Sequence, residues 1–370
     1  MKQRRRRSAA LSAIIGLALT FPAARADADE TVSWTLDPAP GPVARATTDP
    51  LGLGVTDHPV EHLDVGVNSV TTTAPGPGAA VDVRGLRADG TWSEWIEIGE
   101  SAPAVLPERT TSVQARVVTT AGGEPKPVTL TAWHDASAEA GGTAHGTTFR
   151  IFATREGLVG GTTANGHVIT ERDHFVALPS RRGLATRAGG DYTVKVCTIG
   201  NQRCEWAPVW DVGPWNTKDD HWNPGRESWR DLPHGVPQAQ AAYQDGYNGG
   251  RDQFGRKVKN PAGIDLADGT FWDGLRLADN AWVNVTYQWT GHGPWGTVEA
   301  PWALNVRTGP SLSAPQVGFA APAARVRIEC VAVGQWQAGS QGHSNRWYRL
   351  APGMYVSAAH IREALPAPMC

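Results

Sequence analysis

Residues 207–226 read APVWDVGPWNTKDDHWNPGR, and the fold turns on their first half. The run APVW-x-V is apolar and strand-like, yet it carries Asp211 between Trp210 and Trp215. A carboxylate in such a phrase is costly unless it is hydrogen-bonded or put to use. Two readings follow. Asp211 accepts backbone N–H groups at the Gly213-Pro214 turn, or it is a working acid whose pKa the flanking indoles raise by desolvation.

Working outward, YTVKV and APVW flank the turn TIGNQR, and Cys197 and Cys204 bracket that turn. This spacing suits a disulfide across a hairpin in an oxidising compartment. Cys330 and the terminal Cys370 are left to pair with each other. With no C-x-x-C or nearby His pair, the cysteines do not read as metal ligands. Upstream lie the glycine-rich GLVGGTTANGHVI and the short apolar run FVALPS; downstream lie PAGIDLADGTFWDGL and the alternating AWVNVTYQW. Residues 149–290 therefore read as one β domain, interrupted by an insertion over 216–260. A structureless loop of that length is improbable in a compact domain, so the insertion is expected to form a subdomain or lid. Within it, Asp219, Asp220 and His221 read as a solvated loop, because adjacent residues rarely converge on one ion and no second His supports them.

The chain begins MKQRRRR, then SAALSAIIGLALTF, then Ala24-Arg25-Ala26. This has the form of a signal peptide over residues 1–26, and it predicts a secreted, extracellular or wall-associated protein with no membrane span after cleavage. Removing it leaves 28 basic against 36 acidic residues, a balance that disfavours nucleic acid as a partner. Residues 27–134 alternate apolar and polar between Gly/Pro turns, as in HLDVGVNSV and SVQARVV, and predict a β-sandwich. In TWSEWIEIG, Trp92 and Trp95 fall on opposite strand faces, one for the core and one for solvent or a sugar ring. Residues 135–148 read as a linker, as do 291–300. The fold class expected is mainly β.

The ordered set of TANG turn, L-P phrase, V-x-D-x-G-P, I-D-L and closing strand resembles the double-psi β-barrel of the rare lipoprotein A family and the expansins. LNVRTGPS, RWYRL and YVSAAHI, within 301–370, resemble a bacterial SH3-like small barrel, with Trp347 and Tyr355 in its core. The first resemblance implies peptidoglycan as substrate, lytic transglycosylation as reaction, and no cofactor or metal. A single acid suffices there: it protonates the glycosidic oxygen and then takes the proton of the sugar's own attacking hydroxyl, where hydrolases ordinarily use two carboxyls. It implies Asp211 as that acid, Asp265 in the same groove, His174 beside them after a one-residue shift, and Thr163 as a hydroxyl that meets substrate. Trp210, Trp215 and Trp222 are the rings for stacking on glycan. The structural alternatives are a turn for Asp211, a helix N-cap for Asp265 and turn stabilisation for Thr163. An expansin-like binder or loosener of wall polysaccharide, and a protein-binding factor such as a protease inhibitor, remain as alternative functions.

Overall fold

The computed structural model describes residues 31–37, 52–100, 102–136, 146–363 and 366–370. The expected signal peptide, and most of the expected first linker, lie outside the described residues. Strands dominate, and they fall into three units.

The N-terminal unit comprises β1 (Val32–Leu36), β2 (Gly54–Thr72), β3 (Ala79–Gly85), β4 (Ile96–Glu97), β5 (Ala104–Thr119) and β6 (Val128–Trp133). All six join one antiparallel sheet in the order β1-β6-β2-β5-β3-β4, where the sequence suggested two stacked sheets. Register shifts along the 19-residue β2, between Asp57 and Val60 and again between His62 and Ser69, interrupt its ladder with β5. Such bulges bend a strand. Residues from β2, β3, β5 and β6, among them Val67, Val83, Val113 and Leu130, thereby share one core.

The central unit comprises β7 (Thr148–Arg155), β8 (Val176–Leu178), β9 (Thr193–Thr198), β10 (Cys204–Val212), β11 (Ala262–Leu266) and β12 (Ala281–Tyr287). They pair in the circle β10-β8-β11-β7-β12-β9, and β9 returns to β10, so the six strands close a barrel. Two contacts, β10 with β8 and β11 with β7, are parallel; the other four are antiparallel. Ile151, Val176, Leu178, Val209, Ile264 and Val283 fill the interior. The phrases FVALPS, APVWDV, AGIDL and AWVNVTYQW supply four of these strands, and Cys197 and Cys204 are opposite each other in the β9–β10 hairpin and disulfide-bonded.

The insertion between β10 and β11 is ordered and contains α1 (Gln238–Asp245). Asp219, Asp220 and His221 correct the sequence reading: all three are fully buried. Asp219 accepts from Arg226 and from the Gln238 N–H (2.6 Å), Asp220 from Arg182 (2.8 Å), and His221 Nε2 meets the Tyr287 hydroxyl (2.8 Å). Burial drives His221 down to about 3, so the ring is neutral. Polar residues that satisfy one another bury as well as apolar ones, and composition does not reveal that.

The C-terminal unit adds β13 (Trp295–Val298), β14 (Leu304–Arg307), β15 (Gln316–Ala320), β16 (Arg325–Arg327), β17 (Cys330–Gly339), β18 (Gly342–Ala351), β19 (Met354–Ser357) and β20 (Ile361–Glu363). Strand β13 lies inside the stretch read as a second linker and pairs with β16 and β20. Trp347 is buried in this unit while Tyr355 is part-exposed. Cys330 and Cys370 are disulfide-bonded across 40 residues.

Each junction is made by a tryptophan. Trp95, from the N-terminal unit, belongs to the barrel core; Trp206, on β10, belongs to the C-terminal core. Strand β15 runs parallel to β10, with Gly318 opposite Cys204. A Cβ on Gly318 would sit 1.7 Å from the Cys204 carbonyl oxygen, so only glycine permits that approach. Among the described residues no helix is long and apolar enough to cross a membrane.

Candidate active site

Four residues line up across four strands of the barrel. Asp211 on β10 is paired with Ala177 on β8, Ala177 with Asp265 on β11, and Asp265 with Thr154 on β7. Residues in register share a sheet face, and strands lie about 4.8 Å apart. The backbones of the two aspartates are therefore roughly 10 Å apart across the small Ala177. Their neighbours Val176, Leu178, Ile264 and Leu266 point into the barrel, so this row faces outward. Period two in a strand puts the acids on one side and the core on the other.

Both acids are buried, 4% exposed for Asp211 and 5% for Asp265. Asp211 Oδ1 accepts the N–H groups of Ala164 and Val212, each at 2.8 Å. One of these donors comes from the distant TANG turn and the other from the residue that follows Asp211. Asp265 is no helix cap: it lies inside β11, and its Oδ1 accepts from Thr154 Oγ1. Asp268 precedes the helical turn Gly269–Gly274 instead.

A third acid joins them. Glu156 follows β7 directly, both its carboxyl oxygens are buried, and its carboxyl lies beside that of Asp211. Burial first, then the neighbouring Asp211 and Asp265, push it well above the ordinary carboxylate range. For Asp265 burial is again the main cause; Asp211 adds to it, the Thr154 hydroxyl opposes it, and the outcome is about 7. Like charges this close cannot all be present, so the cluster retains protons at neutral pH.

Asp265 and Glu156 line a pocket of about 350 Å³ whose other walls include Trp215, Arg256, Asn260 and Asn280. Trp215 is fixed there by its Nε1 bond to Asn260 Oδ1 (3.0 Å) and by Arg256 5.7 Å from its ring centre. Beside the rim, Trp272 is 40% exposed, with the guanidinium groups of Arg155 and Arg172 at 4.7 and 4.9 Å from its ring. The arrangement offers a proton donor at the floor of a polar pocket with an aromatic wall.

The other sequence candidates fall elsewhere. His174 Nδ1 is bonded to Glu205 Oε1 (2.9 Å), at the β10–β15 junction. Thr163 is fully buried, its Oγ1 donating to Asn165 Oδ1 (2.8 Å) within the turn. Trp210 turns inward, its Nε1 on the Gly189 carbonyl (2.8 Å) and its ring against His167 and Phe175. Trp222 is 1% exposed, stacked on Tyr287 with its Nε1 on Glu94 (2.7 Å). Of the proposed rings only Trp215 meets the pocket. Glu156 escaped notice because Arg-Glu-Gly after a strand reads as an ordinary turn. Its one signal was its place directly after the strand that pairs with the I-D-L phrase. Among the described residues no group of His, Cys, Asp or Glu is arranged to hold a metal ion.

A closed barrel with a row of outward acids is thus the class that the fold and site define. A family model described as a domain of unknown function (DUF8814) matches residues 147–286, which span that barrel and its insertion. No curated protein and no solved structure matches the chain.

Proposed function

We propose that the protein is an exported, wall-directed polysaccharide-cleaving enzyme whose general acid is Asp265. The observation that carries this reading is the placing of Asp265, a carboxyl that borders a pocket yet is almost wholly buried, with burial and the neighbouring Asp211 raising its pKa to about 7. Structural ion pairs do not need such an arrangement, whereas acid catalysis near neutral pH does. The sequence-level resemblance to rare lipoprotein A and the expansins supports the choice of peptidoglycan glycan strands as substrate, and the leader and two disulfides support export.

In this reaction Asp265 gives its proton to the glycosidic oxygen as the C1–O bond breaks, while Asp211, which accepts the Ala164 and Val212 N–H groups, stands in register with it across Ala177. The resulting Asp265 carboxylate takes the proton of the sugar's 6-hydroxyl while that oxygen bonds to C1. The product is an anhydro end, and the acid is regenerated. Trp215 stacks against a ring of the strand. The role of acid passes from Asp211, as the motif suggested, to Asp265, because Asp265 borders the pocket and Asp211 lies behind it.

The test is to incubate purified peptidoglycan with wild type and with Asp265→Asn and to analyse the released fragments. Anhydro-ended fragments from wild type and their loss in the variant are expected. Equal product from both sinks the assignment. Retention on insoluble glycan with no product from either protein selects the expansin-like binder.

A further inference from the structure

A second cavity, of about 550 Å³, opens where the three units meet. Its walls include Arg84 and Trp92 from the N-terminal sheet, Asp191 from the barrel, and Glu299, Arg325 and Arg362 from the C-terminal unit. The volume is that of a small-molecule site, and such sites favour the junctions between domains.

The charges in this wall do not balance. Arg84 is ion-paired with Asp191, and Arg362 Nε donates to Glu299 Oε1 at 2.8 Å. Arg325 is the third guanidinium, and among the described residues no carboxylate forms an ion pair with it. It lies 4.0 Å from the Trp295 ring centre, and its Nη1 is buried with no hydrogen-bond partner. Three cations thus face two anions. Burial is the largest influence on Arg325 and lowers its pKa, with Arg84 adding to it and Asp191, Tyr192 and Asp89 acting against it. A single negative charge in the cavity would complete the set.

Trp92 is part-exposed, with the Arg84 guanidinium 4.5 Å from its ring centre. It is the exposed partner of the Trp92/Trp95 pair, Trp95 having gone to the barrel core. Apart from this ring the lining is mostly polar side chains and backbone, which suits a hydroxyl-rich ligand better than an apolar one. We propose that this cavity binds a carboxylate-bearing sugar, its ring beside Trp92 and its carboxylate at Arg325. The choice of a sugar rests on the polysaccharide reading of the carboxyl pocket; the choice of a monoanion rests on the charge count alone. A ligand held here touches all three units and stabilises their docking through its binding free energy.

The experiment is calorimetric titration of the full mature chain with an oligosaccharide ending in glucuronate, with the same oligosaccharide ending in glucose, and with a short peptide bearing a free terminal carboxylate. Saturable binding of the acid sugar, about tenfold weaker binding of the neutral one and weaker binding of the peptide are expected. Trp92→Ala weakens binding of the acid sugar about tenfold, and Arg325→Gln removes the preference for acid over neutral while Arg325→Lys keeps it. Asp265→Asn leaves all of these values unchanged, so a failure of the cleavage assay and a failure here are read separately. If Arg325→Gln lowers the melting temperature by more than about 5 °C, Trp92→Ala decides alone. Equal affinity for acid and neutral sugars, equal affinity for the peptide, or wild-type binding by Trp92→Ala overturns the proposal.

Discussion

Two sets of acids, one at the joint between the N-terminal sheet and the barrel and one on the barrel itself, are handled in opposite ways. Where the N-terminal sheet docks, Asp82 takes two bonds from Arg116 (2.9 and 2.8 Å) and one from Arg181 (3.2 Å), Glu97 takes Arg181 and Lys218, and Asp191 takes Arg84. Burial acts upward on each of these carboxyls, but the adjacent cations outweigh it and hold all three below the ordinary range. Trp95 completes the joint, with Arg84 and Arg116 each 4.3 Å from its ring centre. In the pocket, Glu156 and Asp265 have other acids as neighbours and are pushed up. The first arrangement fixes two units together; the second stores protons. The difference lies in the partners, since Asp82, Asp191 and Asp265 are all buried.

The sharpest way to break this contrast is through activity. Asp265→Asn keeps the shape of the side chain and removes its proton transfer, so cleavage is expected to fall by about 100-fold to 10,000-fold with the fold retained. Asp82→Asn, in the docking set, touches no pocket residue and is expected to lower stability without a comparable loss of turnover in the protein that remains folded. Comparable loss of turnover per folded molecule in both variants would erase the distinction between the two sets.

Next in size is the removal of a cation from the docking set. Arg116 is almost wholly buried, and besides Asp82 it bonds the Arg181 carbonyl at 2.8 Å. Arg116→Met leaves Asp82 buried with only part of its compensation, and a loss of about 3–5 kcal/mol is expected, read from urea unfolding followed by tryptophan fluorescence. A loss under about 1 kcal/mol, the worth of an exposed pair, would show the joint to be solvated.

The two sets also predict opposite responses to pH. Asp265 titrates at about 7 in the folded chain against an ordinary 3.8, so the folded state holds the extra proton between those values. The stability that this proton confers is fully present below about pH 4 and is lost as pH rises through about 7. The depressed carboxyls of the docking set give stability that is present above their ordinary values and lost as pH falls through their lowered ones. Unfolding free energies at pH 4.5 and 7.5 should therefore show Asp265→Asn gaining on wild type at the higher pH, by a few kcal/mol at most. An unchanged gap between the two proteins would mean that Asp265 is not protonated by its surroundings.

What the sequence made legible was local. The Cys197–Cys204 hairpin and the strands around Asp211 and Asp265 followed from turn chemistry and period-two alternation, while the expectation that both acids share one groove came from the resemblance. What escaped it depended on long-range partners. Trp95, Trp206 and Trp222 look alike in sequence to Trp215, because a ring buried between units and a ring in a pocket are chemically the same. Asp219 and His221 looked solvated because their partners, Arg226 and Tyr287, are apparent only once the insertion is folded. Glu156 is an acid among many until β7 is set beside β11.

His174 belongs to neither set and gives the smallest effect. It precedes β8, and its Nδ1 bond to the fully buried Glu205 lies where β10 takes up β15, with Phe319 edge-on at 5.6 Å. Thr270 Oγ1 also donates to Glu205 Oε1 (2.9 Å), while Asp173 and Asp273 add negative charge around the ring. Burial acts downward on the imidazole, but Glu205 outweighs it and the pKa is raised. The stability from the charged pair is therefore full below about 6.5 and lost as pH rises through the raised value. His174→Gln keeps a hydrogen-bond donor and removes the charge, so the variant should trail wild type by about 1 kcal/mol at pH 5.5 and by less at pH 8.5, measured by urea unfolding. A constant gap across that range would place His174 with the neutral packing of the junction, and Glu205 would then draw its compensation from Thr270 and nearby Arg203.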